Sequence, residues 1–532
     1  MNDFPFKTKP YQHQLDIFED SKDKEYCALF MEMRTGKSKT TLDTAAYQFR
    51  QGRIDALLII SPNGVSRGWL EEISTHLHDS TNYKCVLWRS GRMATKTASI
   101  TLEELLKHPG LAILSVNVDA LITDTLKKYL AKFFLKRKVF SVIDESIDIS
   151  SPGAARTKTA MRVGARSVTR RILDGTPVAA APLGLYSQCA FLKPGLLGNS
   201  YMSFKTRYAE WETKDVGERD KPCTDCGGNG VKIDTSGEYQ TCQRCHGNCF
   251  IGRNSFQSLK GYQRLDELTE KLGEFSYRVR RDQCADLPQK VYKKRFFTLT
   301  NHQQRAYTAL RDEFVAELAA GVTLTATMAL TRLLRLQQIT SNFAPIEGAL
   351  AVCPQCNGDG CEACQDQGVV GSATRLAAID PAHNPRLDAL LAVLAPLEGQ
   401  GIIWCRFRHD VDAVFGALEN VVRYDGSMHA EARAMALREF QTGDARYIVG
   451  TAQAGGRGLD LAMADHVVYY SHSWSLRQRL QSEDRAQSLK KTDAVLYVDL
   501  IADGSVDEKI IAALRAGRDL SATILGDPHV FD

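Results

Sequence analysis

No stretch of this chain is both long and free of charge, so nothing in it is expected to span a bilayer. With 44% hydrophobic and 24% charged residues it reads instead as a soluble globular protein. The N-terminus, Met1-Asn2-Asp3-Phe4-Pro5-Phe6-Lys7, lacks a basic segment followed by an apolar one, so no secretory signal is expected. A basic excess is also missing. The 67 Lys and Arg stand against 63 Asp and Glu, a net charge of +4, so any grip on nucleic acid must come from a local track of charge. At 532 residues the chain exceeds the roughly 250 to 300 residues that one core usually reaches, and two lobes with insertions are expected. Of its 14 cysteines, eight fall in C-x-x-C pairs. Without a signal these point to metal thiolates in a reducing compartment, a cytoplasm.

A glycine is missing from the stretch around which the rest is organised. Met31-Glu32-Met33-Arg34-Thr35-Gly36-Lys37-Ser38 follows the apolar run Cys27 to Phe30 and precedes a helical pattern from Lys39 to Phe49. Met31 stands where a GxxxxGK[ST] loop has its first glycine, and Arg34 where many helicase-type ATPases carry a second. Strand, loop and helix in this order form a phosphate cradle. The loop from Arg34 through Gly36 and the helix start would hold phosphate oxygens, Lys37 would reach the β- and γ-phosphates, and Ser38 would sit on Mg²⁺. Alone, the same residues also describe an ordinary loop with an exposed lysine. Downstream, Val139 to Ile143 reads as a buried strand that ends in Asp144-Glu145-Ser146. Carboxylates at the carboxyl end of a parallel strand lie where such sheets collect ligands. Asp144 would hold Mg²⁺ through water and Glu145 would polarise the water that attacks the γ-phosphate. A helix start with acidic residues accounts for the local residues, but not for the loop upstream.

Gln14, with Gln12 as second choice, has an amide able to read adenine with two hydrogen bonds, although a polar helix start explains both. Ala56 to Ile60, Leu111 to Asn117 and Arg170 to Leu173 repeat the apolar strand with a polar end, the pattern of βα units covered on both faces. The first ends in Ser61-Pro62-Asn63-Gly64 before a helix with Trp69 and Glu72, and the last in Asp174-Gly175-Thr176-Pro177.

In this order the glutamine, the GKS loop, Ser-Pro-Asn before a tryptophan helix, Asp-Glu-Ser, Gly-Thr-Pro and Phe191-Leu192-Lys193-Pro194-Gly195 resemble the first lobe of superfamily 2 helicases. Snf2-like ATPases of bacteria and phages are the subgroup most resembled. Asp286-Leu287-Pro288-Gln289-Lys290 and Leu333 to Ile339 continue the likeness between the lobes. A second parallel α/β domain restarts at about Asn384, with strands at Gly401 to Cys405, Val421 to Tyr424, Tyr447 to Thr451, His466 to Tyr470 and Val495 to Leu500. It has no GKS loop, so a nucleotide would lie between the lobes. Ala454 to Leu461 looks like the family's motif V, where Gly458 lets the backbone approach and Asp460 can hold a ribose hydroxyl or a partner arginine. Gln481-Ser482-Glu483-Asp484-Arg485 looks like motif VI, with Arg485 as arginine finger. The family's second arginine is Ser488 here. Either Arg485 suffices, or Arg457, Arg479 or Lys490 supplies the charge.

Cys223-x-x-Cys226 with Cys242-x-x-Cys245, and Cys353-x-x-Cys356 with Cys361-x-x-Cys364, aim thiolates in pairs, and two such turns close a tetrahedral Zn²⁺ site. Their glycine-rich tails resemble the DnaJ zinc domain. Neighbouring turns closing two local sites and nested sites of the DnaJ type both stay open; structural zinc, about two ions, is expected.

The fold expected is α/β, with two RecA-like parallel-sheet lobes in tandem and small zinc-binding insertions. Lobe 1 is expected over 1–210, a zinc insertion over 211–255, a helical inter-lobe region over 256–345, a second cysteine-rich segment over 346–372, and lobe 2 over 373–532. The resemblance implies an ATP-dependent translocase on double-stranded DNA, without strong sequence preference, in a bacterial or phage-infected cytoplasm. Residues near Ser61, Asn63, Asn117, Gly426 and Thr451 would meet phosphates. A remodeller gripping a protein partner through its zinc module, and a non-hydrolysing DNA-binding scaffold, are the alternatives.

Overall fold

The computed structural model describes residues 4–62, 65–89, 95–178, 181–222, 225–226, 231–233, 239–243, 250–280, 290–319, 326–346, 350–352, 369–372, 375–455, 459–487, 491 and 493–525. Six strands of the first half, β1 (Tyr26–Met31), β2 (Ala56–Ser61), β3 (Tyr83–Leu87), β4 (Leu111–Asn117), β5 (Val139–Asp144) and β6 (Thr169–Leu173), join β7 (Ser276–Val279) in one sheet. Its order is β7-β1-β6-β5-β2-β4-β3, and every pairing is parallel. Helices on both faces explain why the strands are nearly continuous apolar runs. Along β1, Ala28 and Phe30 enter one core while Cys27, Leu29 and Met31 enter the other. Along β2 the same alternation sends Leu58 and Ile60 one way, Leu57 and Ile59 the other.

The second sheet is built alike from β8 (Lys290–Phe297), β9 (Gly401–Cys405), β10 (Val421–Tyr424), β11 (Tyr447–Thr451), β12 (His466–Tyr469) and β13 (Val495–Ala502). The order is β8-β13-β12-β9-β11-β10, again parallel throughout. Ile403 and Cys405 face one core, Ile402 and Trp404 the other. Two parallel-sheet lobes are therefore present, consistent with tandem RecA-like folds.

The stretch 256–345 departs from the helical inter-lobe region expected. Its described residues form the helices Leu265–Gly273, Asn301–Ala319 and Ala326–Thr340, but they also give one edge strand to each sheet, β7 to the first and β8 to the second. The chain thus crosses between lobes within the short interval from Val279 to Lys290. A second crossing comes at the far end. Helix Val506–Leu525 leaves lobe 2 and seats Ile524 in the first lobe's core beside Leu268 and Leu272. There Thr269 Oγ1 donates to the carbonyl of Ile524 at 2.9 Å.

The expected insertion 211–255 sits on an antiparallel ribbon. Ala209–Pro222 pairs with Phe250–Tyr262, and a smaller pair, Val231–Ile233 with Tyr239–Thr241, lies between them in the chain. Among the described residues, no group of three or more His, Cys, Asp or Glu side chains is placed to hold a metal ion. The four-thiolate sites expected are thus not displayed: Cys226 and Cys242 are described and buried, but Cys223, Cys245, Cys353, Cys356, Cys361 and Cys364 lie outside the described residues. No helix among the described residues is long and apolar enough to cross a membrane.

Candidate active site between the lobes

β1 runs into the loop and the loop into helix Lys37–Arg50, whose N-cap is Gly36. Gly36 has φ +94°, which favours glycine, and a Cβ there would fall 2.1 Å from Gln14 Nε2 and displace that amide. Gln14 is itself buried. Its Nε2 donates to the Thr35 carbonyl at 3.1 Å and its Oε1 accepts from the Tyr11 N–H at 3.1 Å, pinning the loop from one side. Gln12, by contrast, is exposed and turned to Asp16. Lys37 Nζ donates to the carbonyls of Met31 at 2.6 Å and Glu32 at 2.9 Å, back across the loop. Burial pulls its ammonium below the usual range, against the carboxylates of Glu145, Asp144 and Asp174. Ser38 follows on the first turn of the helix.

The carboxylates stand opposite, at the end of β5. Asp144 Oδ2 accepts from Trp69 Nε1 at 2.9 Å, and Oδ1 from the Glu145 N–H at 3.0 Å. Burial and then Glu145 push its carboxyl up to about 7, with Lys37 opposing. Asp174 is fixed by the N–H groups of Ile147 at 2.9 Å and Thr176 at 2.7 Å. Burial and Glu145 raise it to about 6. Ser146 Oγ donates to Gln188 Oε1 at 2.6 Å, and Gln188 Nε2 donates to the Pro177 carbonyl at 3.0 Å, so the Asp-Glu-Ser and Gly-Thr-Pro segments form one bonded unit.

Lobe 2 closes this site. Arg34 has φ +65° and Glu145 φ +56°, left-handed conformations that cost a non-glycine residue about 1 to 3 kcal/mol and persist where contacts fix them. Both are fixed from across the cleft. Arg34 donates to Asp460 Oδ1 at 2.8 Å and to the Gln487 carbonyl. Asp460 thus takes the second of its two expected partners, an arginine. Glu145 Oε2 accepts from Arg477 Nη2 at 2.9 Å and Gln481 Nε2 at 3.0 Å, both on helix Leu476–Glu483. Arg485 lies in the turn after that helix, buried, with Nη1 donating to the Leu459 carbonyl at 3.3 Å. Burial lowers it to about 10; Asp484 opposes that shift and Arg34 adds to it.

Arg479, one expected substitute for a second motif VI arginine, does not face the cleft. It is buried inside lobe 2, where Nε donates to Glu483 Oε1 at 2.7 Å, Nη1 to Asp499, and the guanidinium lies 3.6 Å from the centre of the Tyr469 ring. Its acceptor Glu483 also receives Arg518, Lys290 and Tyr292, which leaves Arg479 a structural ion pair. Arg457, Gly458, Ser488 and Lys490 lie outside the described residues, as does Asn63. Ser61 is fully buried, its hydroxyl 3.1 Å from that of Ser66. Asn117 is half-buried and accepts from the Asp119 N–H at 2.9 Å.

Thr451 and Gly426 do reach a cavity of about 300 Å³ at the carboxyl ends of the lobe 2 strands, shared with Arg406, Arg408, Ser427 and Gln478. Trp69, Asp174, Arg477 and Gln481 are members of the site to which the sequence assigned no role. Asp174 had a signal, its place before Gly175-Thr176-Pro177. Arg477 had none.

Known proteins give matching segments. A family model described as "SNF2-related domain" matches residues 14–343, more than half of the chain, and one described as "Helicase conserved C-terminal domain" matches 385–490. The "TATA-binding protein-associated factor mot1" of Aspergillus fumigatus is 29% identical over 178 residues, 28% of this chain and 9% of that protein. The "Chromatin-remodeling ATPase INO80" of Cryptococcus neoformans is 27% identical over 164 residues, 30% of this chain and 9% of that protein. The mot1 protein of Schizosaccharomyces pombe is 23% identical over 513 residues, covering 89% of this chain and 23% of its own length. The chain thus spans about a tenth to a quarter of the length of these relatives. A solved structure, "Sulfolobus solfataricus SWI2/SNF2 ATPase core in complex with dsDNA", covers 99% of this chain and 95% of its own at 19% identity, with a TM-score of 0.38. With a family model over most of its length and a second over the lobe that completes the site, the chain belongs to the SNF2-related family.

Proposed function

We propose that the chain is an ATP-dependent DNA translocase in which two lobes share one nucleotide. One observation carries this reading. Lys37 on its loop, the Asp144–Glu145 pair, and the lobe 2 segment bearing Arg477, Gln481 and Arg485 converge on one cleft, where Glu145 meets Gln481 across 336 positions and Arg34 meets Gln487 across 453. ATP is the substrate. Backbone N–H groups from Arg34 to Ser38 and the Lys37 ammonium bind its phosphates, and Gln14 stands beside the loop for the base. Ser38 and Asp144 supply the hard oxygen donors that Mg²⁺ takes, and Asp144 and Asp174, both raised by burial and then by the Glu145 charge, fit a neighbouring divalent charge. When bound, the ion neutralises charge on the β- and γ-phosphates. Glu145 orients the attacking water, and Arg485 stabilises charge in the transition state.

Duplex DNA would lie along the strand-end loops, where Arg406, Arg408, Ser427 and Thr451 line one cavity in lobe 2. Phosphate contact of this kind carries little sequence preference and weakens steeply with salt. Steady-state ATP hydrolysis with and without duplex DNA tests the reading. A many-fold rise with DNA is expected, as is a loss of about 100-fold or more in Glu145→Gln with DNA binding kept. Stimulation only by a protein partner, no hydrolysis at all, or retained turnover in Glu145→Gln would contradict it.

Zinc belongs to this proposal as a structural element. Val231 pairs with Thr241, so the chain before Val231, with buried Cys226, and the chain after Thr241, with buried Cys242, leave the small hairpin side by side. That register supports local closure of the first pair of C-x-x-C turns. Metal analysis is expected to find about two zinc ions per chain, and Cys226→Ser with Cys242→Ser to remove about one. A metal-free wild-type protein would rule the zinc out.

A further inference from the structure

Ser488 leaves motif VI without an arginine three residues after Arg485. A different guanidinium reaches the catalytic carboxylate. Arg477 lies on the first turn of helix Leu476–Glu483; its Nη2 donates to Glu145 Oε2 at 2.9 Å and its Nη1 to Asp148 Oδ1 at 2.8 Å. The side chains of Arg477, Glu145 and Asp148 are 17%, 14% and 11% exposed. These are shielded pairs, unlike surface bridges, which contribute little. Gln481, four residues on and therefore on the same helix face, donates to that same Oε2 at 3.0 Å. On the other side of the cleft, Glu145 and Asp148 bracket one short helical turn, closed by the Asp148 N–H donating to the Glu145 carbonyl at 3.0 Å. Both donors come from lobe 2 and both acceptors from lobe 1, so the arrangement exists only while the lobes are together.

We propose that Arg477 is the positioning residue that couples lobe closure to hydrolysis: with Gln481 it holds Glu145 by Oε2 and leaves Oε1 to orient the attacking water. The two guanidiniums then divide the work. Arg485 answers the charge on the phosphate, and Arg477 fixes the carboxylate. Burial works against the charge of Arg477, but Glu145, Asp174 and Asp148 outweigh it and keep the group cationic. The inference rests on reading Glu145 as the residue that orients water.

The test is ATP hydrolysis by the full chain with saturating duplex DNA, with kcat and KM for ATP separated. Arg477→Ala is expected to lower kcat about 10- to 100-fold, because a misplaced catalytic group costs rate, while KM for ATP changes less than about 3-fold. Arg477→Lys, which keeps a cation able to reach one carboxylate, is expected to recover to within about 10-fold of wild type. Asp148→Asn weakens the second anchor without touching Glu145 and is expected to lower kcat about 3- to 10-fold. Should Arg477→Ala not fold, Arg477→Lys and Asp148→Asn carry the test. Arg477→Ala with kcat within about 3-fold of wild type, or faster, would overturn the inference, as would a rise in KM with kcat unchanged. Retained turnover in Glu145→Gln would instead remove the underlying ATPase reading. An inactive Glu145→Gln beside a normal Arg477→Ala would remove this inference alone.

Discussion

Lys37→Ala is expected to lower ATP turnover on the order of 1,000-fold, with duplex DNA still bound to within about 3-fold of wild type. The size follows from the position. In the function proposed Lys37 is the cation that lobe 1 brings to the phosphates, and its charge is set against Glu145, Asp144 and Asp174. Its two hydrogen bonds run to carbonyls of its own loop, so the side chain is presented at the cradle mouth and not tied to a distant element. Folding should be little affected. Alanine suits the first helical turn, and the Glu32 carbonyl keeps the Thr35 hydroxyl as a donor at 2.8 Å. ATP hydrolysis and DNA binding measured on the same preparation check this; turnover near the wild-type rate would mean that the phosphate site lies elsewhere.

Arg485→Ala is expected to slow hydrolysis by a comparable or larger factor, on the order of 1,000-fold or more, because a finger arginine acts on charge that develops in the transition state. Nucleotide affinity should change little, since the cradle itself belongs to lobe 1. The electrostatic neighbours of Arg485 already include residues of both lobes, Asp484 and Asp460 on its own side, Arg34 and Glu145 on the other. Lysine at this position should not restore the rate, because a point charge lacks the planar fork that meets two phosphate oxygens.

The sheets were legible because a parallel strand buried on both faces is written as an apolar run with a polar end. Tyr26–Met31, Ala56–Ser61 and Val139–Asp144 have that form. Two of the edge strands do not. Lys290–Phe297 carries four basic residues in its eight and is exposed along most of its length, so its pairing with Val495–Ala502 has no periodic signature. Ser276–Val279 is short and half-buried for the same reason. Lys37, Asp144 and Glu145, which the fold brings together, were each picked out by local spacing. Contacts across the cleft were not. Arg34 with Asp460, and Arg477 with Glu145, join residues 426 and 332 positions apart, and nothing local marks Arg477 as different from its neighbour Arg479. Only the helix orientation separates them: one guanidinium turns to lobe 1, the other to Glu483 and Asp499 inside lobe 2.

The central claim, that both lobes act on one triphosphate, is tested most directly by single-turnover ATP hydrolysis in Arg485→Ala, with nucleotide affinity measured beside it. The account predicts affinity within about 3-fold of wild type and a hydrolysis step slowed on the order of 1,000-fold. Hydrolysis at the wild-type rate would show that lobe 2 brings no arginine to the phosphate, and would contradict the shared site.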